Sequence, residues 1–304
     1  MHHKQYWQNF ELGKEVEIGA SFIYDGLRNF HEMKTLELET EVFQVLYNLS
    51  VGLERLLKVA VVLLEYNEGM DSEEFEKSLI THNHFSLIDR VRAHVEFQLS
   101  GVQNELVALL SSFYKTFRYD RYRVATVRDL SKEKKGFRAW IEKHLSIPAS
   151  TPDRFLSSED NSWRVKKFVG RHVSKIVLPL YEVIRGAARS KNVYTDEIRY
   201  YSKAYKLIYG KEFDFLSEDI LWRELLIFIL NGDEDSPLKK FLGEMEPLNF
   251  DVALLPEYLR CFSNNLKRIE IADEMHTLYE DLEEKRSRIE ILQLIDNPHV
   301  EFPE

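Results

Sequence analysis

VFQVLYNLSVGLERLLKVAVVLLEY, residues 42–66, decides the fold class. Val42, Val45, Leu46, Leu49, Leu53, Leu56, Leu57, Ala60, Leu63 and Leu64 recur at steps of three and four. That spacing lines one face of an α-helix with apolar side chains. The pattern predicts a helix from about Leu36 to Tyr66, stopped at Asn67-Glu68-Gly69, where Asn and Gly supply a left-handed turn. Upstream, Tyr6, Trp7, Phe10, Val16, Phe22, Ile23, Leu27 and Phe30 predict a long first helix. Gly13, Gly19 and Gly26 interrupt it. They read as points of close approach by a neighbouring helix; no strand precedes them and the Gly-x-Gly-x-x-Gly spacing of a phosphate loop is missing.

Downstream, Asp71-Ser72-Glu73-Glu74 reads as an N-cap with first-turn acids, opening a short helix to about Ile80. Helices are also predicted from His84 to about Val95, from Val102 to Phe117 and around Phe137 to Leu145, with Tyr122 to Val127 briefly extended. Leu145-Ser146-Ile147-Pro148-Ala149-Ser150-Thr151-Pro152 is the clearest break in the chain. It sets the expected organisation: a helical bundle over 1–146, a linker over 147–162 and a second helical region over 163–304. In that region helices are predicted at Trp163 to Ser190, Thr195 to Tyr209, Ser217 to Leu230, as a short pair within Pro237 to Phe262, and at Ile269 to Ile295. The last carries a coiled-coil step with Lys285 in its seam, so an antiparallel partner within the bundle is expected.

Composition agrees with an all-α protein. The 304 residues include only 12 Gly and 8 Pro, while 44% hydrophobic residues exclude wholesale disorder. The single cysteine, Cys261, excludes an internal disulfide and suits a reducing, cytoplasmic setting. The longest apolar runs fall well short of the roughly 18 residues of a membrane span, so no membrane is expected. No cofactor or metal is expected either: His82 and His84 form a His-x-His without a further ligand cluster, and a hydrogen bond at a helix start explains them. Glu54 and Lys58, four apart, read as a helix pair.

The net charge of −10 speaks against a nucleic-acid partner until its distribution is read. From Lys115 to Lys191 there are 19 basic and 8 acidic residues, net +11, leaving net −21 elsewhere. Phe117, Tyr119, Tyr122, Phe137 and Trp140 are interleaved there, where they could stack on bases. Lys115, Arg118, Arg121, Arg123, Lys135 and Lys143 are the residues expected to bind RNA or nucleotide phosphates. The competing reading is that these charges pair with the acidic flanks on solvated helix faces.

Three segments carry a family resemblance. Asn48 to Lys58 places a small residue and an acid before Leu56-Leu57-Lys58. Thr81-His82-Asn83-His84-Phe85-Ser86-Leu87-Ile88 opens a His-containing helix. Phe113 to Tyr122 ends a helix with Arg118-Tyr119 and Arg121-Tyr122. Together they make roughly residues 5 to 145 resemble the HEPN superfamily, a small all-helical module. The resemblance implies RNA or nucleotide binding and a homodimer. In the catalytic members it implies a metal-independent ribonuclease of toxin–antitoxin or antiviral defence systems, whose site is an Arg followed after four to six residues by a His. In that chemistry Arg stabilises phosphate charge and His moves a proton. The pair with that spacing here is Arg138 and His144, which lies after the core helices rather than at the family's usual place; Arg28-Asn29-Phe30-His31 has only two residues between. The alternative is a non-catalytic scaffold whose helical extension binds a protein partner, and a weaker one is a nucleotide sensor using Arg118 and Arg121.

Overall fold

The computed structural model describes residues 6–33, 35–67, 69–120, 122, 124, 132–146, 161–231, 236–264 and 269–295. Among them the chain is all-α, with no strand. A single π turn, Trp7–Glu11, leads into α1 (Leu12–Glu32), which packs antiparallel in sequence order on α2 (Glu39–Glu65). The middle of α2 is buried on every side, including Val59, Val61 and Val62 off the periodic face. A helix apolar all round belongs at the centre of a fold, and α1, α4, α6 and α7, placed below, all pack against it.

The glycines explain how closely the first two helices approach. A Cβ on Gly52 would lie 2.6 Å from the carbonyl oxygen of Gly19 and 2.5 Å from Cγ1 of Ile23. Gly26 meets Asn48 and Leu49 in the same way, at 3.1 Å. Close helix approach is therefore what Gly19 and Gly26 provide, as their spacing suggested.

Helix α3 (Ser72–Ser78) starts where the sequence placed it, with the Asp71 carboxylate accepting from the backbone N–H of Glu73 (2.9 Å) and Glu74 (3.2 Å). Helices α4 (His84–Arg92) and α5 (Gly101–Ser112) follow. Helix α5 continues as a π turn, Phe113–Phe117, and one α turn, Arg118–Asp120; π turns of this kind frequently mark functional sites. Most of the extended stretch expected at Tyr122 to Val127 lies outside the described residues. Helix α6 (Lys132–Leu145) seals the core with Phe137, Trp140 and Ile141.

The expected boundary at 147–162 does not divide the fold. Residues 147–160 lie outside the described residues, but α7 (Trp163–Ser190) buries Val165, Val169, Val173, Ile176, Val177, Leu180 and Ile184 in the same core as α2. Asn161, just before α7, donates its side-chain amide to the carbonyls of Phe30 (2.5 Å) and Met33 (2.9 Å). A Pro-rich stretch is a break in composition. Whether it separates domains depends on where the next apolar face is buried, and the face of α7 is buried against α2. One compact unit runs to Phe215 and a second covers Leu216–Glu304.

The helix expected over Thr195 to Tyr209 contracts to α8 (Lys203–Ile208). Asn192 and Tyr201 adopt positive φ, and Thr195, fully buried, gives its hydroxyl to the Gln8 carbonyl (2.5 Å), so turns replace the first half. The second unit holds α9 (Leu216–Asn231), α10 (Pro237–Glu244), α11 (Leu255–Asn264), α12 (Ile269–Glu280) and α13 (Lys285–Leu292). The single helix expected from Ile269 to Ile295 is thus broken after Glu280. Glu280, Asp281, Glu283 and Glu284 crowd negative charge at a helix C-terminus, where the dipole disfavours it.

Candidate functional site

Three parts of the first unit meet at one polar cluster: the middle of α2, the start of α4 and the π turn after α5. They are the three segments that carry the sequence resemblance. Glu54 points inward from α2 and is nearly buried, at 6% exposure. A buried carboxylate needs partners, and it has two: Lys58 Nζ at 2.7 Å and His82 Nδ1 at 3.1 Å. The expected Glu54–Lys58 pair is thereby observed, with His82 added to it. The imidazole of His82 is half exposed, and its Nε2 has no partner among the described residues.

His84 is fully buried beside it. Its Nε2 donates to the Ser50 carbonyl (2.9 Å), and the Ser50 hydroxyl donates to the Leu110 carbonyl (3.1 Å), tying α4 and α5 to α2. Burial lowers the pKa of His84, so the ring is neutral. The hydrogen bond expected at the helix start is not a cap: the start of α4 has no side-chain cap hydrogen bond, and His84 reaches across to α2 instead.

The ring of Tyr114 forms the other wall. His82 meets it edge-on, with centroids 5.0 Å apart, and the Arg118 guanidinium carbon stands 3.8 Å from its centroid. Arg118 also lies 4.5 Å from the Tyr119 ring and donates Nη2 to the Tyr119 hydroxyl at 2.7 Å. Its Nε is buried with no hydrogen-bond partner. Burial, and next the Glu54 carboxylate, raise the Tyr114 pKa, so its hydroxyl stays protonated at neutral pH. Lys115, on the same turn, is exposed. Neither Arg118 nor Lys115 has a carboxylate partner among the described side chains. A guanidinium over two rings, with no described carboxylate against it, is prepared to take an anion.

The other basic residues divide. Arg121 and Arg123 lie outside the described residues. Lys135 is exposed on α6. Lys143 pairs with Glu105 (2.7 Å), and Lys134 with Glu37 (3.0 Å), so on α6 the charges do meet acidic neighbours. Arg138 is engaged by Glu37 and by Glu142 (2.8 Å), whereas His144 is engaged by Glu105 (2.8 Å). Six residues apart on a helix, the two side chains point about 120° apart, and each turns to a different carboxylate. Hydrogen bonds and charge from Lys134 and Arg138 hold Glu37 below the usual carboxylate range, and Lys143 and His144 do the same for Glu105.

Sequence reasoning singled out Lys115, Arg118, Glu54, Lys58, His82 and His84, but it did not join them. It missed Tyr114, whose ring holds two of them. It also missed the exposed row Lys167, Arg171 and Lys175 on α7, legible as basic residues four apart. A surface groove of about 870 Å³ between α1 and residues 194–199 offers no comparable set, because its Glu17 is taken by Arg199 at 2.8 Å.

The buried neutral His84 makes a pH prediction. Its folded pKa lies below the unfolded value of about 6.5. The unfolded state therefore binds a proton first. Stability is complete above pH 6.5 and falls as the pH drops below it. Melting temperature measured between pH 7.5 and 5 is expected to decline, and His84→Gln is expected to flatten that decline while lowering the plateau. An equally steep decline in the variant would assign the effect elsewhere.

Comparison of the chain with protein-family models, with curated proteins and with solved structures gives no match.

Proposed function

We propose that the chain binds RNA, or a nucleotide, through the turn that carries Tyr114, Lys115 and Arg118. One observation carries this reading: the Arg118 guanidinium stands between two tyrosine rings, uncompensated by any described carboxylate, next to an exposed lysine. Aromatic faces with cations among them are the elements of single-stranded nucleic-acid recognition, since stacking accepts any base and the cations take the phosphates.

Titration of a fluorescent single-stranded RNA tests the reading. Binding is expected to weaken steeply with salt, by about 0.7 in log K per phosphate contact for each decade of salt. No binding at low salt would refute it.

A second reading, that the protein also cuts RNA without a metal, is favoured by His82. Glu54 fixes this imidazole through Nδ1 and leaves Nε2 unengaged, and the Tyr114 ring that His82 meets edge-on is the one the Arg118 guanidinium stands over; a fixed imidazole with a free nitrogen is what a general acid–base needs. His82 therefore replaces His144 as the proton carrier in this proposal, and Arg118 replaces Arg138 as the phosphate ligand. A homodimer and a defence or toxin setting are what the sequence resemblance adds to it. Incubation with total RNA in EDTA separates the readings. The enzyme reading expects cleavage that His82→Ala reduces by about 100-fold or more, on the scale of general acid–base catalysis. Binding without cutting leaves an RNA- or nucleotide-binding protein or a scaffold.

A further inference from the structure

Among its described residues the second unit has helices but buries no apolar side chain. The buried apolar side chains end at Phe215, and among the described residues beyond it only Asp219 is buried. Ordering a helix costs conformational entropy that apolar burial normally offsets. Here that burial is missing, most plainly on α9. Its sequence, LSEDILWRELLIFILN, leaves Ile220, Leu221, Trp222, Leu225, Phe228 and Leu230 between 41% and 71% exposed. These positions surround the helix rather than lining one face, and a helix apolar all round is a buried helix. Helix α9 packs on α11, which also leaves Leu255, Leu259 and Phe262 exposed.

We propose that α9 and α11 dock on the α9 and α11 of a second copy of this chain, completing a four-helix bundle. Three observations select that occupant. Large apolar side chains are exposed on both of the packed helices, Leu221, Trp222 and Phe228 on α9 and Leu255 and Phe262 on α11, so a docking face can draw on two helices for the roughly 800 Å² each partner contributes to a standard stable interface. From Ile220 to Asn231 the charged residues are Arg223 and Glu224, opposite in sign and adjacent, so a two-fold axis places no net like charge on this face. A membrane is a poorer occupant. At 16 residues α9 spans about 24 Å, short of the roughly 30 Å of a hydrocarbon core, and no helix among the described residues is long and apolar enough to cross one.

Charge outside this face gives the association a signature of its own. Residues 216–304 hold 9 basic and 21 acidic residues, a net charge of −12. Two copies repel each other through those charges, and salt screens the repulsion. Association is therefore expected to tighten with salt, whereas RNA binding weakens with it, so failure of one proposal is distinguishable from failure of the other.

Sedimentation equilibrium of the full chain between about 1 and 50 μM, at low and high salt, is expected to show a monomer–dimer equilibrium that salt tightens. Leu221→Glu with Phe228→Glu, seven apart on one face, is expected to weaken the dimer at least 30-fold. If that variant loses helical circular dichroism, hydrogen exchange of the unmodified chain decides instead. Amides of Leu221 to Leu230 are expected to gain protection as concentration rises. A monomer throughout, a variant that dimerises as before, concentration-independent exchange, or a monomer that floats with phosphatidylcholine vesicles would each overturn the proposal.

Discussion

Gly52→Ala is expected to lower the main thermal transition of the first unit by roughly 6–12 °C, from a loss of about 3 kcal/mol. The added methyl would sit 2.6 Å from the Gly19 carbonyl oxygen, and backbone cannot swing aside as the end of a side chain can. The α1–α2 interface would have to open, loosening Ile23, Leu49 and Leu53 at the centre of the core. Gly186→Ala is the matched control. Gly186 lies in α7 with nothing within 4 Å of its Cβ position, so the same change there is expected to stabilise by up to about 1 kcal/mol. Circular dichroism melts of the two variants check the pair; equal shifts would mean that the helices do not meet at Gly52.

Much of this interface was legible in the sequence, and the reason is periodicity. The apolar steps of α1 and α2 are long and regular, their glycines fall on the shared face, and Asp71 supplies a cap with no competing reading. What failed was inference across distance. The Pro-rich stretch before α7 looked like a domain boundary because composition reports chain stiffness and polarity. The decisive fact is that Val169 and Val173 complete the core beside α2, which is a tertiary event. The same limit governed the site. Arg138 and His144 have a suggestive spacing, but spacing along a helix fixes direction only relative to that helix. Glu37 and Glu105, 101 and 39 residues away in sequence, determine what the two side chains do. Conversely, Glu54, His82 and Arg118 have no sequence spacing in common, and it takes the packing of α2, α4 and the π turn around the Tyr114 ring to make them neighbours.

Arg118→Ala is expected to weaken single-stranded RNA binding by about 30-fold, or about 2 kcal/mol, combining one charged hydrogen bond to phosphate with loss of the guanidinium contacts that hold the Tyr114 and Tyr119 rings. Because one phosphate contact is lost, the salt slope is expected to fall by about 0.7. Arg118→Lys is expected to restore most of the slope but not the affinity. An ammonium keeps the charge yet lacks the planar face that the two rings hold and the forked donors that grip phosphate. Arg138→Ala provides the contrast. Its guanidinium is already committed to Glu37 and Glu142, so the change is expected to leave RNA affinity and slope within a factor of about two, the cost appearing instead as a small loss of stability of the kind partly exposed ion pairs give. Isothermal titration with one oligoribonucleotide at three salt concentrations distinguishes the two arginines. Should Arg138→Ala prove the damaging substitution and Arg118→Ala the silent one, the anion site belongs on α6, and the turn after α5 is only a packing element.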